Sequence, residues 1–184
     1  TYQCSLELER GGRCGLMYLR GGSLVNVHEG LILGATVSPI EHVPLYHFSP
    51  GSRAFNIWVA GCPVSCKTCV NPVVKASLRS LGLRPLSEDL IDIALRSRSS
   101  IVFVNGGETL LHAHWLLKQL GEVKGRMPIG FKTTCSLTPK ALKSALDLGV
   151  DVLLVEVPPT IDQVLLENVA PTIKIGLELT KHVE

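Results

Sequence analysis

The stretch Asn56–Pro72, NIWVAGCPVSCKTCVNP, holds three of the six cysteines of this 184-residue chain, spaced Cys62-x3-Cys66-x2-Cys69. An apolar, strand-like run from Phe55 to Ala60 leads into it, and Gly61 opens the turn. Thiolates this close in sequence can converge on one inorganic centre. Three of them are one ligand short of a closed tetrahedral zinc site, whereas iron–sulfur clusters are held by cysteine runs of this kind. A 4Fe-4S cluster with three cysteine ligands keeps one iron open to a small molecule. Two readings compete with it: a zinc site completed by a distant cysteine or histidine, and three unrelated core cysteines. The position directly after a strand favours the cluster.

Outward from this loop, residues 53–184 alternate between strand and helix patterns. Phe55–Ala60 reads as the first strand and Pro85 to Arg98 as a helix, with Ser87 placed to cap it. Ile101–Val104 is a second strand, Thr109–Leu120 a helix, Ile129–Thr133 a third strand. Thr138–Leu148 is a helix with Pro139 in its first turn, and Val150–Val157 a fourth strand. Ile161–Asn168 reads as a helix and Thr172–Leu179 as a fifth strand, its polar Thr172, Lys174, Gly176 and Glu178 alternating with apolar residues. Short apolar strands separated by helices predict an α/β fold with a parallel sheet covered on both faces. Right-handed crossovers curl such units into a barrel. A closed eight-fold barrel needs about 250 residues, so the expectation is a partial, open β/α barrel of about five parallel strands. Residues 1–52 carry Gly11-Gly12, Gly21-Gly22, Gly30 and Gly34 between short β-like runs, and predict a hairpin-rich extension.

Composition narrows the classes. The net charge is +2 and no basic block appears, so nucleic acid is not an expected partner; aromatics are 5%. No apolar run of about 18 residues predicts a membrane span. At 46% hydrophobic residues the chain has enough core to dispense with a disulfide framework, which reads as a reducing, cytoplasmic compartment. Cys4 and Cys14 are read as free thiols of the hairpin region, with a second metal or a disulfide as alternatives, and Cys135 as a core thiol. His28, His42 and His47 are read as packing or surface residues, with Tyr46-His47 noted for its place shortly before the first strand.

In β/α barrels the chemistry gathers at the C-terminal ends of the strands. Asn105-Gly106-Gly107-Glu108 follows the second strand, where paired glycines let a ligand approach the backbone. Lys132-Thr133-Thr134 ends the third strand. Glu156 ends the fourth, and a buried carboxylate there requires a partner; Lys174 on the adjacent predicted strand is the candidate.

The loop VAGCPVSCKTCVNP resembles the cluster loop of the radical S-adenosylmethionine (SAM) superfamily, and within it the activating enzymes of glycyl-radical enzymes, such as that of pyruvate formate-lyase. Pro39-Ile40-Glu41 and Pro44-Leu45-Tyr46-His47-Phe48-Ser49-Pro50-Gly51-Ser52 are similar to a segment that precedes that loop in those proteins. The resemblance covers roughly residues 4–160. It implies a 4Fe-4S cluster on Cys62, Cys66 and Cys69, and SAM as cofactor, split to methionine and a 5′-deoxyadenosyl radical that takes hydrogen from a substrate. It further implies SAM contacts from Gly106, Gly107 and Glu108, where Thr109 replaces the family's usual proline, and from Thr133, Thr134 and Glu156. Related enzymes carry Asp-Leu-Lys where this chain has Glu156-Val157-Pro158, so the lysine is absent. A flavodoxin- or ferredoxin-like electron donor and a protein substrate, through a glycine Cα–H, are the partners implied. Six β/α units are typical of the family and five are legible here, so either the chain stops short or the barrel is open. A non-catalytic iron–sulfur or zinc module, and a radical SAM modifier of a peptide, nucleotide or RNA, stay open as alternatives, and a fourth protein ligand from Cys4, Cys14 or Cys135 would close the site.

Overall fold

Turn chemistry organises the first part of the chain. The computed structural model describes residues 11–12, 14, 16–64, 66–67, 69, 71–75, 82–157 and 163–183. Cys4, Pro158 and Ile161, to which expectations were attached, lie outside these. Strands β1 (Met17–Arg20) and β2 (Ser23–Asn26) form a hairpin through Gly21 and Gly22, both at positive φ as a two-residue turn of matching twist demands. Then follow β3 (Leu31–Ile32), β4 (Gly34–Pro39) and β5 (Arg53–Val59), the strand that delivers the cysteine loop. After the loop come β6 (Arg84–Pro85), which pairs with β3, and helix α1 (Glu88–Arg96). The chain continues through β7 (Ile101–Gly106), α2 (Ala113–Gln119), β8 (Ile129–Thr133), α3 (Pro139–Leu146), β9 (Val152–Val155), α4 (Gln163–Leu179) and β10 (His182–Val183).

Among the described residues the main sheet has the order β10-β9-β8-β7-β5-β4. Strands β5, β7, β8, β9 and β10 run parallel. Strand β4 is antiparallel to β5, Gly34 facing Trp58 and Pro39 facing Arg53, so the segment before residue 53 contributes a strand to this sheet. The class is the expected one: mixed α/β with a mostly parallel sheet. No helix among the described residues is long and apolar enough to cross a membrane.

Side-chain alternation divides the sheet into two faces. Phe55, Ile57, Val59, Val102, Val104, Ile129, Phe131 and Leu153 point to the helices and pack with Leu116, Leu142 and Leu146. Ala54, Ile101, Phe103, Val152 and Leu154 point the other way, and are covered by Ile40, Val43, Leu45 and Phe48. The sheet is therefore covered on both sides, by helices on one and by the Ile40–Phe48 segment on the other. That segment is closed by a hydrogen bond from the Gly51 amide to Glu41 Oε1, 2.7 Å. Gly130 has no room for a side chain: a Cβ there would lie 2.6 Å from the Phe103 ring.

Three expectations are corrected. Thr172–Leu179 is helix, the second half of α4, and the fifth parallel strand is the short β10 instead. The segment satisfies both periods. Thr172, Ile175, Gly176 and Leu179 form the inward helical face, while Ile173 and Leu177 are exposed. Pro171, which removes an intrahelical donor, is carried inside the helix. The helix expected from Pro85 starts at Glu88, because Pro85 is held in β6; Ser87 stands at its N-cap without a side-chain bond. The segment Thr109–Leu120 begins as a 3-10 turn, Thr109–His112, before α2. The helix expected over Thr138–Leu148 is α3, with Pro139 in its first turn as expected and Thr138 capping it by accepting from the Ala141 amide at 3.1 Å.

Candidate metal centre

The peptide groups at the mouth of the cysteine loop are held from several elements. The Gly61 amide donates to the Val74 carbonyl at 2.8 Å, and the Gly61 carbonyl accepts from the Glu108 amide at 3.0 Å. Gly61 sits at φ +107, and a Cβ there would run into the Leu16 side chain. One residue earlier, the Ala60 carbonyl lies 2.9 Å from His112 Nε2. Cys62, Cys66 and Cys69 follow, all partly exposed and none in a disulfide. Among the described residues no three His, Cys, Asp or Glu side chains are drawn together as a group able to hold a metal ion. The donor set itself fits an iron–sulfur cluster: three half-buried thiols on one loop, none tied up in a disulfide.

Gly106 and Gly107 meet this loop backbone to backbone. A Cβ on Gly106, at φ +136, would strike the Val59 carbonyl; one on Gly107 would strike the Gly61 carbonyl and lie 2.8 Å from Cys62 Cβ. The structure thus brings Gly107 against the first cysteine and Gly106 against the end of β5. Glu108 turns away from the loop and is fully buried. Its Oε2 accepts from Thr133 Oγ1 (3.2 Å), the Thr134 amide (3.0 Å), Thr134 Oγ1 (2.8 Å) and Ser136 Oγ (2.8 Å). Its Oε1 is buried with no hydrogen-bond partner among the described residues. Glu108, Thr133 and Thr134 are therefore one cluster, joined by Ser136, which sequence reading missed. Thr109 has a role that a proline could not fill: its hydroxyl donates to the Lys132 carbonyl at 2.6 Å and accepts from the Lys132 amide at 3.1 Å.

Glu156 pairs with Lys132, Nζ to Oε2 2.9 Å, and not with Lys174, which α4 carries exposed. Strand parity explains the pair: Trp58, Asn105, Lys132 and Glu156 end four consecutive strands on the face opposite the helices. They line a cavity of about 560 Å³ with His42 and Asn71, the latter just beyond Cys69. Beneath it Asn105 Nδ2 donates to buried Asn56 Oδ1 at 2.9 Å, and Asn56 Nδ2 donates to Ser38 Oγ at 3.0 Å, tying β7, β5 and β4 together. Tyr46 and His47 are exposed.

Two other cysteines are placed. Cys135 is buried, and that burial pushes its thiol up to about 11, so it is no ready thiolate. Cys14 is half-buried and its sulfur lies 3.5 Å from the amide of Leu16, the residue that covers Gly61.

Burial pushes the His112 imidazole down to about 4, against the opposing pull of the Ala60 carbonyl, and neighbouring His28 lowers it further. Burial lowers His28 too. A histidine held neutral in the folded state binds its proton first in the unfolded chain, at 6.5. Its contribution to stability is complete above that value and is lost as the pH falls from 6.5 towards 4. The chain should lose about 2 kcal/mol between pH 7 and pH 5 from His112 alone. Urea midpoints at the two pH values measure this, and the loss should shrink in His112→Gln; a flat midpoint in the unaltered chain would contradict it.

A family model described as a 4Fe-4S single cluster domain matches residues 49–163, from just before β5 to the start of α4. No curated protein matches the chain. The matched span takes in the cysteine loop, the glycine pair, the Glu108 cluster and the Lys132–Glu156 pair, and it exceeds half the sequence. The chain belongs to the 4Fe-4S single cluster domain family.

Proposed function

We propose that the chain is a radical SAM enzyme whose cluster rests on Cys62, Cys66 and Cys69. One observation carries the reading: Gly107 lies directly against Gly61 and Cys62, with Gly106 packed on Val59 just before them, so a ligand at an open iron would lie beside main-chain groups freed of side chains. The family of the matched domain occurs in radical SAM-type proteins. When bound, the cluster supplies the electron that cleaves SAM reductively to methionine and a 5′-deoxyadenosyl radical. The protein's part is to bind, orient and exclude water.

In this reading the sheet is the wall of an open β/α barrel over residues 53–184, and the cavity over its C-terminal edge seats SAM. Glu156 and Lys132 offer opposite charges there 2.9 Å apart. Lys132 on β8 supplies the cation that related enzymes place two residues after the acid. Glu108 holds Thr133 and Thr134 in place from behind, which makes it a positioning residue. A flavodoxin- or ferredoxin-like donor provides electrons in the cytoplasm, and a glycine Cα–H of a partner protein is the hydrogen source, reached through the barrel's open side.

A second reading has one observation in its favour. Leu16 packs on Gly61 and its amide lies 3.5 Å from the Cys14 sulfur, which puts a fourth thiol near the loop; as a ligand it would close the site and make a non-catalytic iron–sulfur module. The test is to reconstitute the chain anaerobically with iron and sulfide, reduce it, add SAM and assay 5′-deoxyadenosine by chromatography. The enzyme reading expects 5′-deoxyadenosine. A stable cluster that leaves SAM intact supports the closed module.

A further inference from the structure

The histidine behind the cysteine loop carries a role that no sequence motif signals. Trp115 Nε1 donates to His112 Nδ1 at 3.1 Å. An indole N–H can only donate, so Nδ1 must be the bare nitrogen of a neutral ring and the proton sits on Nε2. That Nε2–H donates to the Ala60 carbonyl at 2.9 Å. Neither end of the ring is left to choose, and the residue is fully buried. Its face stacks on His28 at 6.4 Å, which is itself buried, with no hydrogen-bond partner for either ring nitrogen among the described residues.

We propose that His112 is a positioning residue for the cluster, holding the Ala60–Cys62 backbone, and with it the first thiolate, through a tautomer that Trp115 fixes. The inference rests on the reading that Cys62, Cys66 and Cys69 hold a cluster. The geometry favours this over a purely structural role. The bond goes to the last carbonyl before the Gly61 turn, where the β5 ladder has ended and, among the described residues, no backbone amide takes it. The same segment, Gly106–His112, also supplies the Glu108 amide bond to Gly61 and the glycine packed on Cys62. Groups behind the ligands of a metal site typically alter metal retention about 10–100-fold when removed.

The test uses the full chain with its cluster reconstituted anaerobically, the variants His112→Phe, His112→Gln and Trp115→Phe, and three readouts. These are iron release to a chelator, the electron paramagnetic resonance spectrum of the reduced cluster, and the ring ¹⁵N shifts of His112, which report the tautomer with or without iron. His112→Phe should release iron at least about tenfold faster and alter the spectrum. His112→Gln, whose amide N–H can still reach the Ala60 carbonyl, should restore both to near the unaltered values. Trp115→Phe should leave the ring in mixed tautomers and fall between. Unchanged release and spectra in both His112→Phe and Trp115→Phe would overturn the proposal, as would a His112→Gln no better than His112→Phe. If His112→Phe does not fold, Trp115→Phe decides: faster iron release than in His112→Gln and the unaltered chain supports the proposal, and unchanged release and spectrum overturn it. Failure of the parent reading looks different: the unaltered chain itself then takes up no cluster, and the proposal falls with it.

Discussion

Cys66→Ala should abolish stable iron and sulfide uptake, cutting bound iron more than about tenfold, whereas Cys135→Ala should leave it unchanged. Two thiolates cannot hold a cubane that needs three, and the loss of a ligand exceeds the cost of losing a group behind one. Cys135 is buried and lies outside the C-x3-C-x2-C loop, beyond the end of β8, so removing it takes no thiolate from that loop. Its own expected effect is a small cavity loss in stability. Anaerobic reconstitution followed by iron and sulfide analysis reads the result. Cys14→Ala belongs in the same series: uptake should persist, and a loss comparable to that of Cys66→Ala would mean that Cys14 is the fourth ligand and the site is closed.

The second large effect lies on the glycine pair, and the two positions should fail differently. Gly106 sits at φ +136 within the β5–β7 pairing, opposite Val59. Alanine there is strained by conformation, costing about 1–3 kcal/mol, and its Cβ strikes the Val59 carbonyl, which belongs to the sheet backbone and cannot swing aside. Together these should cost roughly 3–5 kcal/mol, a large share of a domain's usual 5–15 kcal/mol. A denaturant midpoint measures it. Gly107→Ala presses instead on the Gly61 carbonyl and on Cys62 Cβ, in a loop rather than a ladder. It should cost less stability and retain iron more poorly. Equal stability for Gly106→Ala and the unaltered chain would show that the close approach to Val59 is not as described.

The alternation of strand and helix from Arg53 onward was legible because each apolar run is bounded by turn residues, and β5, β7, β8 and β9 lie where those runs do. The cysteine loop was legible from its spacing together with its place directly after a strand and its flanking residues. What misled was α4, where Thr172–Leu179 fits a two-residue and a helical period equally; packing of Ile175 and Leu179 on the core, with α4 against α3, chose the helix. That choice moved Lys174 off the sheet and left Glu156 to Lys132. The pair was there to be found in strand parity, since Lys132 and Glu156 end adjacent strands on the same face. Long-range contacts were not legible: nothing local signals that Ser136 completes the Glu108 cluster, that the Thr109 hydroxyl grips the Lys132 backbone, or that His112 reaches Ala60. Nor could turn counting show that Ile40–Phe48 fills the inner face of the sheet, because its apolar residues are spaced irregularly and follow neither period.

The most direct test of the central claim, an open cluster on three cysteines, is the electron paramagnetic resonance spectrum of the anaerobically reconstituted, reduced chain with and without SAM. An iron that lacks a protein ligand must change its coordination when SAM binds, so the spectrum should shift on addition and the shift should saturate. A 4Fe-4S signal that is the same with and without SAM would contradict the open site, and the uptake of zinc in place of any cluster would contradict the cluster itself.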